Sequence, residues 1–161
     1  MSFADRLFRQ WLTWSSSGKR ARSDVRLRVV NLSQNTEIAT SVEVADTGAA
    51  RSKGLLGRLG LGPGEGLWIV PCESVHTFGM KFPIDLVYLD RAHRIRKIRK
   101  RVVPWRISAC FTAHSVLELA AGAIGEGDAQ PGDIVEFLPL DSEDPAESNL
   151  EDASAPRRLE D

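Results

Sequence analysis

Between Val25 and Leu140 the chain is a succession of short apolar segments separated by turns rich in glycine and proline. Alternation of apolar and polar residues within such segments predicts β-strands that bury one face. The segments 25–32 and 37–45 flank a polar turn, and further strands are predicted at 66–70, 76–80, 84–90, 115–121 and 133–140. We therefore expect a mainly β fold, a compact antiparallel β-sandwich or barrel with one or two short helices.

Two segments between these strands follow a different pattern. Residues 49–56 predict a short helix, with Thr47 as the N-cap and Gly57 after its end. Residues 94–103 space their apolar side chains as a helix does, yet their β-branched residues also fit an edge strand with a bulge. The sequence leaves both structures open for this second segment.

The two ends of the chain differ in composition from its central part. Residues 3–14 place large apolar side chains on one half of a helical wheel and polar ones on the other, which predicts an amphipathic helix. Residues 141–161 carry eight acidic residues against two arginines, a composition typical of disorder. We therefore expect a helix and basic linker at 1–24, a β domain at 25–140 and a disordered acidic tail at 141–161.

Three motifs follow one another along the β domain. Residues 45–58 read ADTGAARSKGLLGR, residues 76–85 read HTFGMKFPID, and residues 115–122 read SVLELAAG. In this order and spacing they resemble the domain-of-unknown-function 192 family, over about residues 41–137. The resemblance implies a compact, mostly β fold and brings no assigned activity with it.

The segment 76–90, HTFGMKFPIDLVYLD, joins a polar run to a strand of apolar side chains through a bend at Pro83. A polar loop anchored on a rigid strand is a frequent location of binding sites. The candidate binding residues are those around the bend, with a basic and an aromatic side chain from elsewhere: His76, Phe78, Met80, Lys81, Asp85, Arg51 and Trp105. We therefore favour a binding or accessory module that recognises a small ligand or a protein partner.

Two carboxylates interrupt otherwise apolar strands. Asp85 follows Pro83-Ile84, and an ionised carboxylate is costly to bury without a partner. Asp85 therefore accepts backbone N–H groups, pairs with Arg51 or Lys81, or anchors a ligand. Glu118 lies in SVLELAA, whose alternation predicts a side chain exposed on the sheet surface.

Cys72 and His76 have the side-chain types of a thiol hydrolase, with Asp85 as a third member. That chemistry requires the imidazole within hydrogen-bond reach of the sulfur, which a spacing of four residues does not decide. Hydrolysis by Cys72 and His76 therefore stays an alternative, and we do not favour an enzyme. Neither a CxxC nor an HxxxH pair is present, so we expect no metal and no other cofactor.

Residues 91–106 contain eight lysines and arginines and no acidic residue. Trp105 is the aromatic side chain nearby, and a charged edge strand that resists aggregation explains the block as well as nucleic-acid binding does. We therefore do not favour a nucleic-acid partner.

The sequence shows no signal-peptide core and no apolar run near the ~18 residues of a membrane span. These features predict a cytoplasmic protein with reduced cysteines. The apolar face of 3–14 and the basic residues that follow it could hold the protein at the periphery of a membrane. A membrane- or assembly-associated accessory role, localised by this helix, is the second alternative function.

Overall fold

The computed structural model describes residues 25–140, which form nine β-strands and one short helix. The strands are β1 (Arg26–Asn31), β2 (Thr36–Ala45), β3 (Glu65–Ile69), β4 (Ser74–His76), β5 (Ile84–Leu89), β6 (Ile95–Val102), β7 (Ile107–Ala109), β8 (Ser115–Ala120) and β9 (Val135–Pro139), and helix α1 (Gly48–Lys53) follows β2. The mainly β fold predicted from the sequence is confirmed. The helix and linker predicted at 1–24 and the tail predicted at 141–161 lie outside the described residues.

Seven strands form one sheet in the order β6-β5-β8-β3-β2-β1-β9, and β4 pairs with β7 in a second sheet. The pairs within both sheets are antiparallel except β2 with β3, which is parallel. The parallel pair departs from the antiparallel arrangement that we expected. It arises because α1 and the loop after it return the chain to the same end of the sheet before β3 begins, as a parallel neighbour requires.

The two outer strands of the large sheet meet at one end. Arg94 before β6 forms an antiparallel bridge with Ile134 before β9. The N–H of Val135 also donates to the carbonyl of His93 at 3.0 Å. The sheet is thereby curved into a barrel, and its interior contains the fully buried side chains of Val29, Val42, Val87, Leu89, Leu117 and Leu119.

A second apolar cluster covers the outer face of the barrel at the neighbouring strands β5, β8 and β3. It contains Leu67 and Ile69 of β3, Ile84, Leu86 and Tyr88 of β5, and Val116 of β8. Leu55 after α1, Val75 of β4, and Met80 pack on this face. The second layer therefore holds part of the predicted site segment against the barrel wall.

Local sequence signals explain most of the element boundaries. The Thr47 side chain accepts the N–H of Ala50 at 3.2 Å and caps α1, as predicted. The helix ends earlier than predicted because Gly54, with φ 49°, forms its C-cap. The segment that fitted either a helix or an edge strand is β6, which stands at one end of the strand order and has register shifts against β5.

The described part of the chain contains no helix long and apolar enough to cross a membrane.

Candidate functional site

A cleft of ≈ 570 Å³ lies between α1 and β4 on the outer face of the barrel. Its lining comes from α1 and the residues after it (51–56), from the segment 71–76, and from Ile69, Met80 and Glu118. We call it the Glu118 cleft after the one residue of β8 that lines it. The cleft therefore combines residues from three separate stretches of the sequence.

Glu118 is a buried acid within this cleft, with 4% of its surface exposed. Its strand partners are Leu67 and Leu86, two buried members of the outer cluster. Within residues 25–140 its carboxyl group has neither a hydrogen bond nor an ion pair. Burial raises the pKa of Glu118 to about 7, although the positive charge of Arg58 opposes the shift. The prediction that Glu118 faces solvent is therefore wrong.

The position of β8 explains why alternation failed for Glu118. β8 lies between β3 and β5, and its residues from Ser115 to Leu119 are all buried. One face meets the barrel interior and the other meets the second layer, so neither face is available to solvent. A single acid in a strand of otherwise apolar residues was the available signal, and it is the same signal that selected Asp85.

Cys72 and His76 both line the cleft without forming a catalytic pair. The Cys72 thiol donates to the carbonyl of Ser74 at 3.1 Å, and the His76 ring stacks on Phe78 at 5.2 Å between centroids. No hydrogen bond joins the thiol to the imidazole in the described part of the chain. Burial raises the pKa of the Cys72 thiol, and the negative charge of Glu118 acts in the same direction. A nucleophilic cysteine requires the opposite shift, so this environment does not favour thiol catalysis.

The structure brings some of the predicted binding residues together and separates others. Arg51, His76 and Met80 line the cleft, while Lys81 and Asp85 do not. The guanidinium of Arg51 donates to the carbonyl of Asp46 at 2.6 Å, which fixes its stem along the end of β2. Three of the seven binding residues predicted from the sequence therefore line the cleft.

Asp85 is fully buried on the opposite face of β5 from the cleft. Its carboxylate accepts the backbone N–H groups of Arg101 at 2.7 Å, Gly122 at 3.0 Å and Ile124 at 3.3 Å. These bonds tie β5 to the end of β6 and to the loop after β8. Of the alternatives left open by the sequence, the structure matches the acceptor of backbone N–H groups.

Phe78 and Trp105 lie beside the cleft on an exposed apolar surface. Their ring centroids are 5.7 Å apart, and Phe78 also stacks on His76. Ile107 belongs to the same surface because it is the strand partner of His76. We call Phe78, Val103, Trp105 and Ile107 the aromatic surface; their exposed fractions are 39%, 45%, 66% and 71%.

Thr77 holds the aromatic surface in place. Its buried hydroxyl donates to the carbonyl of Val103 at 2.9 Å and accepts the N–H of Arg106 at 2.9 Å. Its backbone carbonyl accepts the N–H of Trp105 at 3.0 Å. Thr77 is therefore a structural residue that orients its exposed neighbours.

Several basic side chains of the block 91–106 are bonded to the protein itself. Arg94 donates to the carbonyl of Gly132 at 2.7 Å, and Lys97 donates to the carbonyl of Ala109 at 2.7 Å. Lys100 donates to the carbonyl of Gly125 at 2.9 Å. These contacts join β6 to neighbouring loops and support the interpretation of a charged edge strand.

Among residues 25–140 no group of three or more histidine, cysteine, aspartate and glutamate side chains is arranged to hold a metal ion. His93 instead packs edge-on against Trp68 and Phe137, with centroid distances of 5.6 and 5.1 Å. Burial lowers the pKa of His93, which favours a neutral imidazole in this aromatic cluster.

The family model of DUF192, described as "Uncharacterized ACR", matches residues 29–137. The chain belongs to this family. The match covers more than half of the chain and confirms the assignment made from the three sequence motifs. No curated protein matches the chain.

Two solved structures are similar to this DUF192 protein. One is "a putative transcription regulator" from Sinorhizobium meliloti 1021, with 25% identity and a TM-score of 0.63, covering 74% of this chain and 98% of that one. The other is "a protein of unknown function" from Novosphingobium aromaticivorans DSM 12444, with 23% identity and a TM-score of 0.58, covering 75% of this chain and 99% of that one. The second similarity concerns the fold alone.

Proposed function

We propose that this DUF192 protein is a binding module whose ligand occupies the Glu118 cleft. The observation that carries the proposal is the buried Glu118 carboxyl, which lines the cleft and has no partner within residues 25–140. Burying an ionisable group without a partner lowers stability, so such a group at a cleft is a candidate for recognition of a ligand.

The shape and lining of the cleft support a small molecule. A volume of ≈ 570 Å³ lies within the roughly 300–1,000 Å³ range of small-ligand sites. Leu55, Ile69 and Met80 supply apolar walls, and Glu118 and His76 supply polar groups. Apolar walls with a few polar groups are the usual composition of such sites.

The Sinorhizobium meliloti relative carries the name of a transcription regulator, for which the matching activity here would be DNA binding by the block 91–106. Arg94, Lys97 and Lys100 of this block are bonded to backbone carbonyls of the same chain. We therefore do not extend that name to this protein.

A screen with a cleft-blocking variant tests the binding proposal. Ser52 is exposed on α1 and lines the cleft, so Ser52→Trp should fill the site with little effect on the fold. Ala49→Trp, also exposed on α1 but outside the lining, is the matched control. Ligand-detected NMR against a library of small molecules should find compounds that bind the wild type and Ala49→Trp and lose binding to Ser52→Trp. Compounds that bind all three proteins equally, or a library without any binder, would contradict the proposal.

A second candidate function is peripheral attachment to an anionic membrane through the aromatic surface. Large exposed apolar side chains grouped on one surface are uncommon in a protein that acts alone in solution. Exposed cations lie within three residues of this group in the sequence, at Lys81, Arg101 and Arg106, and no acid occurs between 91 and 106. Aromatic and basic side chains together are typical of contact with anionic lipid.

Vesicle flotation distinguishes membrane binding through the aromatic surface from membrane binding through the helix predicted at residues 3–14. Trp105→Glu and Ile107→Glu should each reduce flotation with phosphatidylserine vesicles, whereas Leu32→Glu, an exposed apolar residue in the β1–β2 turn, should not. Trp11→Glu tests the segment 3–14 by itself. Flotation that depends on Trp11 and is indifferent to Trp105 and Ile107 would assign membrane contact to the N-terminal segment and exclude the aromatic surface.

A further inference from the structure

We infer that the ligand of the Glu118 cleft carries an aliphatic primary amine, whose ammonium group pairs with the Glu118 carboxylate. The inference rests on the proposed function, because it names the class of molecule that the cleft accepts. It follows from the charges around Glu118, from the absence of an internal partner in the described residues, and from the aliphatic composition of the apolar walls.

The cations near Glu118 are engaged elsewhere. The Arg58 guanidinium is bonded to the Glu43 carboxylate at 2.7 Å, so it reaches Glu118 only through its charge. Arg51 donates to the carbonyl of Asp46 and forms no ion pair with Glu118 in the described part of the chain. No cation among residues 25–140 therefore pairs directly with the Glu118 carboxylate.

The other titratable groups facing the cleft do not pair with the Glu118 carboxylate either. Lys53, Glu73 and His76 are exposed lining residues, and Cys72 is half-buried. Tyr88 lies on the same face of the barrel wall as Glu118, on the neighbouring strand β5. Burial raises the pKa of Tyr88 to about 12, so it is neutral. Lys53 and Arg51 belong to the helix that forms one side of the cleft. Glu118 is the buried ionisable group on the opposite side, in the barrel wall.

The walls select the carbon skeleton of the ligand. Leu55, Ile69, Val75 and Met80 are all aliphatic and at most 8% exposed. None of the lining residues is a phenylalanine, tyrosine or tryptophan. Quaternary ammonium ligands are recognised by aromatic rings, whereas a primary ammonium group forms charge-assisted hydrogen bonds with a carboxylate. The lining therefore fits a primary amine on an aliphatic chain.

The charge of Glu118 also determines which class of ligand binds more tightly. A carboxylic acid ligand would place a second negative charge beside Glu118, and a neutral alcohol would leave it uncompensated. The burial that brings the pKa of Glu118 to about 7 makes amine binding depend on pH. Affinity should rise as the pH rises through 7 and stay level until the amine itself loses its proton near ~10.

The experiment titrates the full chain with four six-carbon probes and follows cleft resonances by NMR. The probes are n-hexylamine, n-hexanol, hexanoate and hexyltrimethylammonium. Hexylamine should bind at least about tenfold more tightly than the other three at pH 8, and about tenfold more tightly at pH 8 than at pH 6, because a proton on Glu118 competes with it.

Variants assign the effect to Glu118. Glu118→Gln should abolish the preference for hexylamine over hexanol and remove the pH dependence of hexylamine binding. Glu126→Gln, an exposed acid outside the cleft, is the control. Should Glu118→Gln fail to fold, Ser52→Trp retains Glu118 and should still lose hexylamine binding, with Ala49→Trp unaffected.

The outcomes separate this inference from the proposed function. Equal affinity for hexylamine and hexanol, both lost on Ser52→Trp, would make the cleft a site for neutral ligands and overturn the amine inference alone. Preference for hexyltrimethylammonium or hexanoate would likewise overturn it. Hexylamine binding that survives both Glu118→Gln and Ser52→Trp would place the amine elsewhere and contradict the inference.

Discussion

Asp85 on β5 and Glu118 on β8 are buried carboxyl groups on neighbouring strands that point to opposite faces of the barrel wall. Asp85 lies opposite Leu119 in the strand register, one residue from Glu118. Asp85 accepts three backbone N–H groups, whereas Glu118 has no hydrogen-bond partner within residues 25–140. The first carboxylate belongs to the bonding of the fold, and the second is available to the cleft.

Replacing Asp85 with asparagine should destabilise the protein. The side chain keeps its shape, but one carboxylate oxygen becomes an NH₂ group that faces backbone N–H donors. We expect the free energy of unfolding in urea to fall by about 1.5–3 kcal/mol, the contribution of a hydrogen bond to a charged group. Glu126→Gln, the same chemical change at an exposed site, should leave it unchanged. An Asp85→Asn protein as stable as the wild type would show that the three hydrogen bonds contribute little.

Replacing Glu118 with glutamine should change how stability depends on pH. The pKa of Glu118 is raised from 4.5 to about 7 in the folded protein, so below pH 4.5 the group is neutral in both folded and unfolded states. As the pH rises from 4.5 to 7 the unfolded state ionises first, and the wild type loses stability by about 3 kcal/mol. Above pH 7 the loss is constant.

Glutamine does not titrate, so the variant lacks this loss. The free energy of unfolding of Glu118→Gln should therefore increase relative to the wild type by about 3 kcal/mol between pH 4.5 and pH 8. Urea denaturation of both proteins at several pH values measures the difference, in which the titration of all other groups cancels. Parallel curves for the two proteins would mean that the pKa of Glu118 is not raised by folding.

The fold was largely predictable because most strands carry a local signal. The exceptions are β7, which was not predicted, and the strand expected at 76–80, of which only His76 is in a strand, at the end of β4. The hairpin at 25–45, the N-cap at Thr47 and the strand at 84–89 follow from alternation, capping and apolar runs. The parallel pairing of β2 with β3 was not predictable in this way. It depends on where the loop after α1 returns the chain, which no short segment of sequence encodes.

The Glu118 cleft contains only some of the residues chosen from the sequence, and the differences have physical reasons. His76 and Met80 were selected for their place near a bend, and they do line the cleft. Glu118 was expected on the surface because alternation assumes one solvent-exposed face, which the second layer removes. Lys81 and Asp85 were grouped with His76 because they are near in sequence. Lys81 lies in the bend between β4 and β5, however, and Asp85 faces the barrel interior from β5.

Replacing Gly66 with alanine should destabilise the barrel wall beside Glu118. An added Cβ would lie 2.8 Å from Cδ2 of Leu119 and 3.0 Å from the backbone oxygen of Glu118. The backbone oxygen cannot move without disturbing the β3–β8 pairing, so we expect a loss of about 1–3 kcal/mol in the free energy of unfolding. At Gly48 nothing lies within 4 Å of the added Cβ, and Gly48→Ala should leave stability unchanged or raise it by up to ~1 kcal/mol. Equal effects of the two substitutions would contradict the close contact at Gly66.

The reactivity of Cys72 decides between binding and thiol catalysis. Cys110→Ser removes the other cysteine, so that maleimide labelling of the native protein reports on Cys72 alone. Burial raises the pKa of this thiol, and reaction requires the thiolate; labelling at pH 7 should therefore be slower than that of free glutathione and should increase steadily toward higher pH. The negative charge of Glu118 contributes to the raised pKa, so Glu118→Gln in the same background should accelerate labelling. Labelling faster than glutathione at pH 7 would show an activated thiolate and restore the hydrolase hypothesis. Slow labelling of Cys72 that becomes faster in Glu118→Gln would instead show that the two side chains interact within one cleft, and would support a binding site over a catalytic one.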